Sequence, residues 1–145
     1  MSNSHPGNIL TLKNKKMGLI DYGQCKRLSD EERCALSCVV TELGKVHVDE
    51  MAVAEGMHAF GFRFKNDRKD IILETARLFF DSDAGRREVG CSTPQCYLLH
   101  LQSQNPFLIV PDAAVFVART SFLFRGFGSL LGVEVKTSEH WSKNL

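Results

Sequence analysis

The sequence lacks an excess of either charge, because 18 Lys and Arg residues stand against 17 Asp and Glu residues, which leaves a formal net charge of +1. Surfaces that bind nucleic acid or anionic membranes concentrate positive charge, so we expect no nucleic-acid partner. Long apolar runs are also missing. The most apolar region, residues 107–133, is interrupted by Pro111, Asp112, Arg119 and Arg125 and falls short of the ~20 apolar residues that span a bilayer. The sequence therefore predicts no transmembrane segment.

Cysteines are few and odd in number, five in 145 residues, and no apolar stretch follows Met1. Both features favour free thiols in a reducing compartment over a disulfide framework. Neither Cys34 and Cys38 nor Cys91 and Cys96 have the C-x-x-C spacing of common structural zinc sites, so we do not predict zinc. With 43% hydrophobic and 24% charged residues, the chain has the composition of a globular domain.

A short β-hairpin is predicted near the start of the chain. Residues 9–12 and 17–20 are two apolar runs, and Lys and Asn residues at 13–16 between them suit an exposed turn.

The best-defined helix follows this hairpin. Ser29 and Glu32 form a capping box, in which each side chain reaches the other residue's backbone N–H, and Gly44 is a typical helix stop. Four apolar residues of this helix lie on one helical face: Leu36, Val39, Val40 and Leu43.

Further helices are predicted over residues 48–58, after a cap at Asn66 or Asp67, after Pro94, and over residues 112–131 following Pro111. The third helix has a core face, which we expect to comprise Ile71, Ile72, Thr75, Leu78 and Phe79. Alternating phenylalanines at 60, 62 and 64 suit either a strand or a buried loop. With no convincing strand after the hairpin, the sequence predicts a mainly α-helical body.

Two motifs flank the predicted hairpin and contain residue types that bind Mg²⁺. His-Pro-Gly-Asn ends at Asn8 before the first strand, and Asp-Tyr-Gly begins at Asp21 after the second. Mg²⁺ takes one or two protein oxygens while phosphates and waters complete its octahedron, and in protein kinases an Asn and the Asp of D-F-G supply them. We predict that Asn8 and Asp21 form such a site. Without Asn8, the simpler interpretation of Asp21 is a carboxylate in a turn at the end of a strand.

These residues resemble the UbiB / aarF-domain-containing (ADCK) family of atypical kinases. Residues 5–8 (HPGN) look like the end of the family's A-D-P-H-P-G-N signature, and residues 18–28 (GLIDYGQCKRL) resemble the metal-binding Asp segment that follows it. The helix start at 28–32 and the late segment 111–132, with Arg119 and Gly126, are similar to later parts of the family. The resemblance implies a protein-kinase-like C-lobe, a helical bundle preceded by a hairpin, with Mg²⁺ and ATP bound through Asn8 and Asp21.

One position departs from the family's pattern. Kinases place an Asp five residues before the metal-binding Asn, and here that position is Asn3. An amide cannot accept a proton as a carboxylate does, so we assign no catalytic residue and expect no phosphotransfer by this chain. The family's glycine loop, phosphate-binding Lys and K-x-G-Q segment would precede residue 1. We therefore expect a partial C-lobe at residues 1–133, a polar tail at 134–145, and little nucleotide binding.

For function, the resemblance implies kinase or ATPase activity that supports ubiquinone or another isoprenoid-quinone pathway. It also implies a mitochondrial or plastid location, peripheral membrane association, and a separate N-lobe or homologous chain as partner. Two alternatives stay open. The first is a non-catalytic helical interaction module or pseudokinase remnant that acts through its apolar face, and the second is a fragment of a longer gene.

Overall fold

The computed structural model describes residue 7 and residues 9–19 and 26–142. Over these residues the chain is mainly helical, with two small antiparallel sheets of two strands each. The elements in chain order are β1 (Ile9–Thr11), β2 (Met17–Leu19), α1 (Asp30–Leu43), α2 (Glu50–Ala59), β3 (Arg63–Phe64), α3 (Lys69–Phe80), α4 (Gly85–Glu88), α5 (Pro94–Gln104), β4 (Phe107–Ile109), α6 (Asp112–Leu130) and α7 (Thr137–Trp141). No helix in the described ranges combines the length and apolar character needed to cross a bilayer.

The predicted hairpin is confirmed. β1 and β2 pair antiparallel, with Ile9 opposite Leu19 and Thr11 opposite Met17. A short 3₁₀ turn joins them, in which Asn14 has a left-handed backbone (φ 67°, ψ 32°). Asn tolerates this region better than most residues, so the Lys-Asn-Lys turn suits its position.

The capping box of α1 is also confirmed. The backbone N–H of Ser29 donates to Glu32 Oε2 at 2.8 Å, and the backbone N–H of Glu32 donates to Ser29 Oγ at 3.1 Å. The predicted apolar face is buried along its whole length: Leu36, Val39, Val40 and Leu43. The sequence therefore fixes both the start of α1 and the side that packs on the core.

α2 packs closely against α1, and Gly56 makes this approach possible. A Cβ added at Gly56 would lie 2.6 Å from Val39 Cγ2, closer than carbon atoms can pack. The helix begins at Glu50, two residues later than predicted, because the Asp49 side chain accepts hydrogen bonds from the N–H groups of Met51 and Ala52.

The connection between α1 and α2 is held by a buried carboxylate. Glu42, only 8% exposed, accepts a hydrogen bond from Lys45 Nζ, and its Oε1 accepts another from the Asp49 N–H at 3.0 Å. The Lys45 hydrogen bond, followed by the Asp49 N–H, lowers the pKa of Glu42 below its ordinary value of 4.5. The ionised form is thus favoured in the folded chain.

This arrangement predicts a contribution to stability that depends on pH. A carboxylate whose pKa is depressed on folding stabilises the protein above its unfolded pKa and loses that effect as pH falls through the folded pKa. Glu42→Gln should therefore lower the midpoint of urea unfolding at pH 7 by more than at pH 3. Glu31→Gln, at an exposed position in the first turn of the same helix, is the matched control. An equal loss at both pH values in Glu42→Gln would contradict the assignment.

The start of α3 differs from the prediction. The helix begins at Lys69 after Arg68, without a side-chain cap, and not after a cap at Asn66 or Asp67. The backbone of Asn66 is occupied elsewhere: its N–H donates to Asn105 Oδ1 at 3.0 Å, and its carbonyl accepts from Asn105 Nδ2 at 2.8 Å. The predicted core face is otherwise correct, since four of its members are buried and Ile71 is partly buried.

The expectation of no strand after the hairpin is wrong. β3 pairs antiparallel with β4, which brings Arg63 opposite Ile109 and Phe64 opposite Phe107. Phe62, fully buried, precedes β3, and Gly61 before it has a left-handed backbone (φ 110°). The phenylalanine alternation therefore marks a strand of two residues, whose partner lies more than forty positions away.

The helix predicted after Pro94 is α5, which lies between α3 and β4 in the chain. Tyr97, buried on α5, donates a hydrogen bond to Glu74 Oε2 at 2.7 Å, and Glu74 also pairs with Arg77. Burial and the hydrogen bond to Glu74 raise the pKa of Tyr97 well above its usual range. This contact anchors α5 on α3.

Pro111 stands immediately before α6, which confirms the predicted start of this helix. Its backbone is extended (φ −68°, ψ 144°), and the helix begins at Asp112. The Pro111 carbonyl accepts from the N–H of Ala114 at 3.0 Å, so proline fixes the helix entry as its cap residue.

The segment after α6 contains α7, which packs on α1 and α6. Asp81, at the end of α3, binds its first turn. Asp81 Oδ1 accepts from Ser138 N at 3.2 Å and from Ser138 Oγ at 2.5 Å. The Thr137 hydroxyl donates to the Asp81 carbonyl and is hydrogen-bonded to Ser121 Oγ at 2.9 Å. The four residues are buried, so the polar side chains at the start of α7 lie in the interior and not at the surface.

Candidate functional site

The hairpin end is the first candidate site. Ile9 and Leu19 face each other at the open end of the sheet, and the chain continues from them into the segments that contain Asn8 and Asp21. Asn8, Asp21 and Asn3 lie outside the described residues. The described part therefore has the antiparallel register that the magnesium prediction requires, while the ligands remain a prediction.

Residues 26–29 lead into the capped helix α1. Lys26 Nζ lies 3.9 Å from Glu32 Oε1, and Glu32 is the residue whose carboxylate closes the capping box of α1. The start of α1 is thus fixed both by its cap and by an ion pair to the segment that leads into it.

The cysteines and histidines of the described ranges do not form a cluster. Cys34, Cys38 and Cys96 are exposed and Cys91 is partly buried, and no three potential metal-ligating side chains group together within the described ranges. Cys91 and Cys96 adjoin each other, and a hydrogen bond to the Cys96 thiol raises the pKa of Cys91. Two adjoining thiols alone make no structural zinc site, because such a site takes four ligands.

A second candidate site was not predicted from the sequence. A pocket of about 420 Å³ lies between the C-terminal half of α6, the loop after α3, and α4. Arg125 of α6 lines it, stacks 4.5 Å from the centre of the Phe122 ring and donates from Nη2 to the Leu78 carbonyl at 2.6 Å. Arg86 of α4 lines the same pocket and lies 2.9 Å from Asp83 Oδ2 through its Nε.

The Arg125 guanidinium is incompletely satisfied. Its Nε and Nη1 are shielded from solvent and have no hydrogen-bond partner, and none of the ion pairs among the described residues includes Arg125. Burial lowers the pKa of Arg125, while Asp83 and Asp81 nearby act in the opposite direction. The only sequence signal for this site is an arginine within an apolar helix.

Comparison with known proteins adds no relative. No protein-family model matches the chain, and neither the curated proteins nor the solved structures contain a significant match.

Proposed function

We propose that the chain is part of a UbiB/ADCK-like atypical kinase, and that Asn8 and Asp21 hold Mg²⁺ against the phosphates of ATP. The observation that carries the proposal is the register of the hairpin. Because Ile9 pairs with Leu19, the two motif segments leave the sheet at the same end. The capped start of α1 after Ser29 follows at the spacing seen in the resemblance.

The donor set fits the proposed ion. An amide oxygen and a carboxylate oxygen are hard ligands of the kind Mg²⁺ prefers, and they leave room for phosphate oxygens and waters. Bound Mg²⁺ neutralises charge on the β- and γ-phosphates. In the proposal Asp21 supplies the charged contact and Asn8 a neutral one, while the hairpin holds the two segments together.

The kinase-like C-lobe fold belongs to the same proposal. The helical body after a hairpin is compatible with it, and the resemblance extends the proposal to isoprenoid-quinone pathways in mitochondria or plastids, with a separate N-lobe or homologous chain as partner and peripheral membrane association.

Metal binding tests the proposed site. Two protein oxygens fill two of six coordination positions, so we expect a weak complex with Mn²⁺–ATP, with a dissociation constant of about 1 mM. The enhancement of the water proton relaxation rate of Mn²⁺–ATP on addition of the chain measures it. Asp21→Asn should weaken binding about tenfold or more, because it removes the charged ligand, whereas Asp67→Asn, at an exposed loop position, should leave it unchanged. Equal binding by wild type and Asp21→Asn would contradict the site.

Turnover is not expected from the isolated chain. With Asn3 at the position of the catalytic carboxylate, no side chain there accepts the proton of an attacking hydroxyl. A sensitive ATPase assay should show no Mg²⁺-dependent turnover. Turnover that disappears in Asp21→Ala would overturn this part of the proposal.

A second candidate function is a non-catalytic helical interaction module. It is favoured by three large apolar side chains at the end of α6 and just beyond it, because Leu130, Leu131 and Val133 are 82%, 78% and 56% exposed. Clustered apolar exposure of this kind is typical of protein–protein contact surfaces. Native mass spectrometry and light scattering test this function. A module that binds a second copy of the chain should self-associate, and the double variant Leu130→Ser, Leu131→Ser should abolish the association. A monomer at all concentrations would exclude self-association through this surface.

A further inference from the structure

The pocket beside α6 has an excess of positive charge. Arg86, Arg87 and Arg125 line it together with two carboxylates, Asp83 and Glu134, which leaves one positive charge more than negative. Asp83 is already close to Arg86. The Arg125 guanidinium is partly buried, and an opposite charge attracts it more strongly there than it would in water.

Two guanidinium groups of this pocket, those of Arg125 and Arg86, include nitrogens without a hydrogen-bond partner. Of the three guanidinium nitrogens of Arg125, only Nη2 has a partner, and Arg86 Nε lies near Asp83 without hydrogen-bond alignment. A buried charged donor without an acceptor is costly, and a guanidinium is matched by the paired oxygens of phosphate or carboxylate. The chemistry that completes the pocket is therefore an oxyanion.

The other walls of the pocket indicate what the anion is attached to. Phe122, Val133 and Val135 contribute apolar surface. Gly126 lines the pocket as well, and a Cβ placed there would meet no atom within 4 Å. The volume of about 420 Å³ lies in the range of small-molecule sites, so the pocket has room for more than a free anion.

We propose that this pocket binds a small amphipathic oxyanion, in which a phosphate or carboxylate group contacts Arg125 and Arg86 and a short apolar body lies against Phe122 and Val133. Nε and Nη1 of Arg125 are shielded in this conformation, so binding through them requires the guanidinium to turn toward the pocket. The site consists of described residues alone and does not depend on nucleotide binding by Asn8 and Asp21.

The test is an NMR titration of the ¹⁵N-labelled 145-residue chain with hexyl phosphate, hexanoate, inorganic phosphate and hexanol. The two amphipathic anions should cause saturable shifts of the amides of Gly126, Ser129 and Gly132, and the tighter of them identifies the preferred headgroup. Inorganic phosphate should bind about tenfold more weakly or worse, because it buries no apolar surface. Equal binding of hexanol, or no saturable shift with either anion, would overturn the proposal.

Variants separate the site from general effects on folding. Gly126→Leu should abolish binding of both anions by filling the pocket, whereas Gly126→Ala adds one methyl group in open space and should reduce affinity only slightly. Arg125→Lys keeps the charge but loses the planar fork, and should weaken binding about tenfold. Unchanged binding in Gly126→Leu would overturn the proposal. Asp21→Asn should leave these titrations unchanged, so that failure of the magnesium site and failure of this pocket are distinguishable.

Discussion

Phe62→Ala is expected to lower the free energy of unfolding by about 3–5 kcal/mol, a large share of the 5–15 kcal/mol typical of a domain. Phe62 is fully buried and lies at the centre of a group of aromatic rings. Its ring centre lies 5.5 Å from that of Phe79 in an edge-to-face arrangement and 6.0 Å from that of Phe64 in a stacked one. The truncation removes these contacts and leaves a cavity where the small β3–β4 sheet meets α3.

Urea unfolding followed by far-UV circular dichroism measures this effect. Phe124→Ala is the matched control, since Phe124 on α6 is 38% exposed and its truncation should cost less than about 1.5 kcal/mol. If the two variants lost similar stability, Phe62 would not be the centre of the core.

Asp81→Ala is expected to lower the free energy of unfolding by about 2–5 kcal/mol, because it leaves the N–H and hydroxyl of Ser138 without acceptors. Ser138 is 1% exposed, so water cannot replace the lost carboxylate without opening the contact between α7 and the end of α3. Trp141, the single tryptophan, lies on α7 and packs against the core. Its emission should therefore shift to longer wavelength in this variant.

Asp81→Asn provides the isosteric control. Its amide keeps one oxygen able to accept from both donors of Ser138, so most of the stability and the wild-type Trp141 emission should be retained. An Asp81→Ala variant with unchanged emission and stability would show that α7 is held by its apolar contacts alone.

The elements that sequence patterns predicted correctly are those whose signals are local. The capping box of Ser29 and Glu32 involves residues three apart, and the buried face of α1 follows from helical periodicity. The hairpin likewise needs only two apolar runs and a turn. In each case the interacting atoms lie within a few residues of one another, so the sequence contains the whole signal.

The predictions of secondary structure and exposure fail where contacts between residues far apart in sequence determine the structure. Asn66 looks like a helix cap, but Asn105, 39 positions later, occupies its backbone. β3 is two residues long, too short for alternation to define, and it exists because β4 pairs with it. Ser138 lies in a polar segment, yet it is buried because it donates hydrogen bonds to the Asp81 carboxylate.

The two candidate sites differ in the same way. Asn8 and Asp21 are recognisable because each belongs to a short motif next to a predicted strand. The pocket of Arg125 is assembled from α4, the start of α5, α6 and two loops, and its partners, such as Arg86, are not adjacent in sequence. A charge inside an apolar helix is the one hint available, and it does not reveal what the charge faces.

Paramagnetic broadening by Mn²⁺–ATP tests the central claim most directly, because it locates the metal on the chain. If Asn8 and Asp21 bind it, the amide signals of Ile9 and Leu19 should broaden first. Those of Thr11 and Met17, two residues and about 7 Å further along the strands, should broaden less, and those of α3 not at all. This gradient should vanish in Asp21→Asn. Broadening centred elsewhere, or unchanged in that variant, would contradict a magnesium–nucleotide site at the open end of the hairpin.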